Sequence, residues 1–467
     1  MVSDSTNQGE GALHGIRVVE AGLLVQGPQA SALLAQLGAA VIKVELPGFG
    51  DQARWLPISW EDRRSPYYLA CNRGKRSATI DLRVPAGRDA FLRLVSTVDV
   101  LITNFMPGTL EGWGLGYEEM RAANPGLIYA TGSAFGPLGP DAERAGADLS
   151  AQAAAGLISG IGADGSEPSP TPVTVADHIA SLNIVAGVQA ALLARARTGE
   201  GQRVDVSLLG SQIWAQASEY TSYLLSGALP GRANRGHPLI AGIYGIFPTA
   251  DGWIAVVGVV PTDRPRFYAT IGRPEINDDP RFKPLLVFGE VKQALFEALD
   301  DVFRQRPTAE WCEVLDKGGF RYAPVRDYAE VVADRQPWEN GYFRTGTDAD
   351  GSERTIVGTP ITMSATPTDP GGPAPELGAH TEEVLLEIGY SWERSAPSRK
   401  PARYELGREP NWAVGRTKKA NPTVEGASCH APRSRRHDLP AAHVDACARR
   451  PQPTRGPAAA PPSDRQG

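Results

Sequence analysis

The chain has 467 residues, of which 51 are glycine and 39 proline, too many backbone punctuators for a coiled coil or a simple helical bundle. With 42% hydrophobic and 21% charged residues it reads as globular, and 47 basic against 53 acidic residues, net −6, leave no electrostatic footprint for nucleic acid or an anionic membrane. The opening residues are polar, the apolar stretches are interrupted before bilayer length, and Cys71, Cys312, Cys429 and Cys447 lie far apart, so a cytoplasmic protein with reduced thiols, no disulfide framework and no metal site is expected.

Residues 16–19 and 41–45 read as strands around a helix over 30–37, a βαβ unit. Apolar bursts at 78–82, 98–103 and 127–131 alternate with helical stretches at 87–95 and 117–123, so the N-terminal part is α/β with a mostly parallel sheet. A Pro-rich stretch at 167–172 precedes a long helix over 178–197, with Ile179, Leu182, Ala186 and Leu193 on one face and a glycine stop after Thr198. A strand at 204–208 and a helix at 212–225 follow. Beyond 226, turns at Pro230-Gly231 and Ala250-Asp251-Gly252 bracket short strands, which places a smaller second domain at 226–330. Over 391–467 Pro, Arg and Ala dominate and no period survives; a disordered tail and a reading-frame artefact explain that composition equally well.

Three stretches could carry chemistry. Asn72-Arg73-Gly74-Lys75-Arg76-Ser77 sets three cations just before a strand, where they could neutralise phosphates or form a solvated basic loop. Asn104-Phe105-Met106-Pro107-Gly108 ends the next strand, at the carboxyl edge where open α/β sheets bind ligands. Asp177 stands at the start of the long helix, a place that suits an N-cap and equally suits a nucleophilic carboxylate. By contrast, Gly160-Ile161-Gly162-Ala163-Asp164-Gly165 matches a dinucleotide fingerprint only as a string, since no strand precedes it and no helix follows.

Taken in order, Leu13-His14-Gly15-Ile16-Arg17-Val18-Val19-Glu20, Gly38-Ala39-Ala40-Val41-Ile42-Lys43-Val44-Glu45, the stretches at 72–77 and 99–108, Thr198-Gly199-Glu200-Gly201-Gln202-Arg203-Val204 and Phe247-Pro248-Thr249-Ala250-Asp251-Gly252 resemble the class III CoA-transferase family. That family includes formyl-CoA transferase, carnitine CoA-transferase and the α-methylacyl-CoA racemases, and the likeness spans 13–390. It implies a Rossmann-like large domain formed by 1–225 and 331–390, a smaller α+β domain at 226–330, and an interlocked homodimer. It implies Asp177 as the covalent nucleophile, acyl-CoA and carboxylic acids as partners, and coenzyme A as substrate and product with no permanently bound cofactor.

The resemblance also assigns CoA contacts to Val25 and Gln26, the stretch 80–83 with Ile80 and Leu82, Asn104, Phe105, Met106 and Asp148. Where formyl-CoA transferase has arginines after the Lys43-Val44-Glu45 stretch and after the Asn104-to-Gly108 turn, this chain has Leu46 and Gly112. Phosphate contacts are therefore sought in Arg73, Lys75, Arg76 and Arg144. Racemase members carry a histidine where this chain has Ala147, so a racemase alternative would need His178 as its second base. A non-catalytic subunit of a heteromeric transferase is a further alternative.

Overall fold

The structure, a computed structural model, describes residues 10–348, 350–369 and 371–391, so the expected tail beyond Ser391 lies outside the described residues. The chain alternates strand and helix through β1 (Arg17–Ala21), α1 (Gln26–Gln36), β2 (Ala40–Glu45), α2 (Pro66–Asn72), β3 (Lys75–Thr79), α3 (Pro85–Val95) and β4 (Val100–Thr103). It continues through α4 (Thr109–Gly112), α5 (Tyr117–Ala123), β5 (Ile128–Ser133), α6 (Asp148–Ala154), α7 (Leu157–Gly160), α8 (Val175–Thr198) and β6 (Gln202–Ser207). The six strands are parallel in the order β3-β2-β1-β4-β5-β6. This is the doubly wound order, with its switch point between β1 and β4.

Helices cover both faces, which is why β4 is buried along its whole length without alternation. Val19, Ile42, Leu101 and Tyr129 pack on Phe91 and Leu94 of α3 and Met120 of α5. Val18, Val41, Val100 and Ile128 pack on Ala30 and Leu34 of α1 and Ile184 and Val188 of α8. α8 has 24 residues and stops at Gly199, whose φ of 77° is the left-handed C-terminal geometry. It is long and apolar enough to cross a membrane, with a window mean hydropathy of 1.5, against the expectation that no such stretch exists. In the fold it lies against α1, β5 and β6 through small side chains such as Ala180 and Ala191. The apolar stripe read from the sequence is its outer face instead, with Leu182 and Leu193 53% and 65% exposed.

Two helices, α9 (Leu208–Ala215) and α10 (Ala217–Ser226), stand where one was expected. An antiparallel sheet of β7 (Ile243–Pro248), β8 (Trp253–Val259) and β9 (Arg321–Pro324) then packs with α11 (Arg264–Thr270), α12 (Gly289–Phe303) and α13 (Thr308–Lys317). Its core is separate from the large sheet's, centred on Phe247, Phe296, Phe303 and Trp311. After α14 (Tyr328–Ala333), α15 (Arg335–Glu339) and a hairpin of β10 (Phe343–Thr347) and β11 (Glu353–Val357), the chain returns to β3, and the last element among the described residues is α16 (Thr381–Glu387). There the His380 amide donates to the Ser77 carbonyl at 2.8 Å, and the Thr79 amide to Thr381 Oγ1 at 2.9 Å.

On the α1 face, β1, β2 and β3 carry charges inside the protein. Glu20 and Lys43 are register partners, and so are Lys43 and Ser77. Glu20 lies 2.7 Å from Lys43 and 2.8 Å from Lys75, and Asp51 lies 2.8 Å from Lys43, all four side chains fully buried. Burial alone would lower the Lys43 ammonium, but Glu20, Asp51 and Glu45 outweigh it and hold it above its ordinary range. Burial pulls Lys75 down to about 8, with Glu20 opposing. Replacing Lys43 with Met would strand the buried Asp51 carboxylate, leave Glu20 with Lys75 alone, and should cost about 3–5 kcal/mol, read as a lower urea midpoint. An unchanged midpoint would show that Asp51 needs no counter-charge.

Candidate active site

At the carboxyl ends of β1 to β4, beside the switch point, lies a cavity of about 190 Å³ lined by Leu23, Glu45, Ile80, Leu82, Phe105 and Trp113 among others. Asn104 fixes one wall, accepting from the Leu23 amide at 2.8 Å and donating to the Leu23 carbonyl at 2.9 Å. Phe105 stands edge-on to Trp113 at 5.9 Å and also lines a neighbouring cavity of about 90 Å³ with Met106 and Gly132. Flat apolar walls suit a heteroaromatic ring or an aliphatic arm. Arg83 is the one Lys or Arg lining the larger cavity among the described residues; it is exposed and pairs with Asp81 at 2.8 Å.

The cations sought from the sequence are spent elsewhere. β3 begins at Lys75, three residues earlier than expected, which turns Lys75 inward to Glu20, Asn72 Oδ1 and the Pro28 carbonyl. Arg73 is buried against the β10–β11 hairpin, 3.9 Å from Asp348. Arg76 is held by Glu383 and Glu387 of α16. Arg144 pairs with Asp141 at 3.4 Å and lies over the Phe135 ring. None of the four lines either cavity.

Asp177 is the third residue of α8, and the N-cap position belongs to Thr174, so the capping reading is corrected. The donors there are taken by Asp148: its Oδ1 accepts from the Ala176 amide at 2.7 Å and the Asp177 amide at 3.2 Å, and its Oδ2 from Gln152 Nε2 at 2.6 Å. Asp148, expected to touch CoA, is thus buried against the start of α8. Among the described residues nothing donates to the Asp177 carboxylate. Burial pushes its carboxyl up to about 7, and the charge of Asp148 adds to the rise.

α1 borders this turn. Ser181 Oγ lies 2.8 Å from the carbonyls of both Gln26 and Asp177. Gln26 is buried, its Nε2 without a partner, and its amide rests against Gly132, where a Cβ would come within 2.4 Å of Oε1. Val25 is buried just ahead of the helix. His178 has both ring nitrogens engaged, Nδ1 with Gln29 Oε1 and Nε2 at 3.3 Å from Thr174 Oγ1, and burial lowers its pKa. It is therefore not poised as a second base. Sequence reasoning missed Gln29, for which no local signal existed, and Trp113, which an aromatic in the glycine-rich stretch after Gly108 could have flagged.

A doubly wound sheet with an apolar crevice at its switch point and an unpaired, half-buried carboxylate at the start of a core helix defines a ligand-binding α/β enzyme with a carboxylate available for chemistry. The sequence model of CoA-transferase family III matches residues 13–381, and the chain belongs to that family. It is 38% identical over 388 residues to the succinate–glutarate CoA-transferase of Agrobacterium fabrum, covering 80% of this chain and 95% of that one. It is 34% identical over 378 residues to the succinyl-CoA–D-citramalate CoA-transferase of Chloroflexus aurantiacus, covering 80% and 94%. Among solved structures, a CaiB/BaiF family protein from Brucella suis superposes with a TM-score of 0.72 at 34% identity, covering 81% of this chain and all of the other. The protein is a CoA-transferase.

Asp177 has a folded pKa above its unfolded value, so wild-type stability falls as pH rises from about 4 through about 7. Asp177→Asn should melt above wild type near pH 8 and lose that advantage near pH 4. Equal melting near pH 8 would contradict the raised carboxyl.

Proposed function

We propose that this enzyme moves CoA from an acyl-CoA donor to a carboxylic acid through covalent chemistry at Asp177. The supporting observation is its carboxylate, half-buried, without a hydrogen-bond donor, and near neutrality in pKa. An Asp177 oxygen lone pair forms a bond to the thioester carbonyl carbon; the tetrahedral adduct collapses, the C–S bond breaks, and its electron pair leaves on the CoA sulfur. The thiolate then attacks the Asp177 carbonyl carbon of the mixed anhydride, releasing the donor acid and leaving an enzyme thioester. The acceptor carboxylate attacks that thioester, and the displaced thiolate takes the acceptor's acyl group from the new anhydride, restoring Asp177. Exclusion of water protects both intermediates.

The crevice at β1 to β4 is the proposed seat of CoA, with Ile80, Leu82 and Phe105 as walls, Met106 lining the adjoining cavity, Asn104 as the wall's brace, and Arg83 as the phosphate cation in place of Arg73, Lys75, Arg76 and Arg144. Val25 and Gln26 shape the turn at the head of α1. Since the named relatives pair succinyl groups with dicarboxylic acids, a small dicarboxylic acceptor is proposed here. An interlocked cytoplasmic homodimer is proposed as the working assembly; exposed Leu182, Leu193, Trp214, Leu224 and Leu225 on α8 to α10 supply apolar surface for it.

Asp177→Ala should abolish transfer, and wild type incubated with acyl-CoA and hydroxylamine should yield a hydroxamate at Asp177; full activity in the variant would sink the assignment. Arg83→Ala should raise KM for acyl-CoA about tenfold, a loss of uniform binding, with kcat nearly unchanged. An unaltered KM would move the phosphates away from this rim.

A further inference from the structure

Asp148 and Asp177 share one helix start but are treated oppositely. The first amides of a helix are orphan donors at the positive end of its dipole, and an oxygen acceptor close to the first turn, a carboxylate above all, is drawn to them. In α8 those amides, at Ala176 and Asp177, are already occupied by a carboxylate from α6. Asp148 is itself locked by Gln152, which also reaches Thr171 in the segment leading into α8.

The other neighbours do not replace the lost donors. α1 presents the neutral Gln26 and Gln29, of which Gln29 is engaged with His178. α9 presents Leu208 to the same cluster of small residues, with Ser211 bonded to Asn183 further along. The ionisable groups around this turn are Asp148 from α6 and, on α8 itself, His178, whose ring is turned to Gln29 and Thr174.

Resting on the reading of Asp177 as nucleophile, we propose that Asp148 is a positioning residue for the transfer reaction: by occupying the α8 amides it denies them to Asp177 and leaves that carboxylate unbonded for attack. A carboxylate stripped of hydrogen bonds keeps its lone pairs available and its basicity high, and nucleophilic strength follows basicity. The raised carboxyl of Asp177, to which Asp148 contributes, agrees with this arrangement.

Asp148→Asn keeps an oxygen acceptor for the two amides but removes the charge; Asp148→Ala frees the amides for Asp177. Profiles of kcat/KM against pH, with melting curves as a fold check, separate the cases. Both variants should move the acid limb to lower pH because the like charge is gone, the alanine variant further because the freed amides also favour the ionised carboxylate. The alanine variant should also lose about tenfold or more in kcat at high pH, as the freed amides draw the nucleophile out of line, with KM for acyl-CoA nearly constant. If Asp148→Ala does not fold, the asparagine variant decides through kcat at high pH, which continued occupation of the amides should hold close to wild type; a loss of about tenfold there overturns the proposal. An unmoved acid limb overturns the proposal, as does a raised KM with intact kcat, which would restore Asp148 as a CoA contact. Absence of the Asp177 hydroxamate in wild type would instead defeat the nucleophile assignment, so the two failures are distinguishable.

Discussion

Everything at the carboxyl edge of the sheet hangs on the buried charges of β1 to β3. Buried ions are tolerated only when each is paired and hydrogen-bonded, so their partners cannot move independently. Asp51 contacts Lys43 and, through Oδ1, also accepts from the Leu24 and Ala53 amides; Glu45 in turn accepts from the Asp51 amide and from Arg54. The turn after β1 and the loop after β2 are thereby anchored to the same ions. Leu24 adopts a φ of 62°, a left-handed geometry that a leucine holds only under such constraint. These two segments are the walls of the crevice, so its shape is set before any ligand arrives.

α1 carries that rigidity to the Asp177 carboxylate. It starts directly after the crevice turn, packs against α8 along its length, and reaches α8's first turns through the Gln26 carbonyl and the Gln29 side chain. The crevice and the carboxylate are thus two ends of one braced unit.

Much of this was legible in the sequence. The βαβ units announce themselves because parallel strands covered on both faces are apolar runs, and helix ends such as Thr198-Gly199 carry local geometry. What escaped depended on contacts remote in sequence. Three cations between Asn72 and Ser77 look like a phosphate site until register with β2 turns Lys75 toward Glu20, and until α16, some 300 residues later, supplies acids for Arg76. Asp177 looked like a cap because Asp148, 29 residues away, could not be seen to do the capping. The apolar stripe on α8 showed a genuine periodicity but not which side met the sheet; small residues, Ala176 and Ala180, mark the tight side.

The return of the chain to β3 governs the order in which the protein can be made. β3 is the edge strand of the large sheet, and residues 372–381 bond to its backbone, while Val384 and Ile388 complete the core beneath it. A ribosome releases the N-terminal strands long before these residues emerge. Until then the nascent sheet presents an open edge and an unfilled core, the features that invite pairing with another chain. Completion of the large sheet and its core is therefore a late event, closed by the C-terminal segment after the β7–β9 sheet and its helices have already been synthesised.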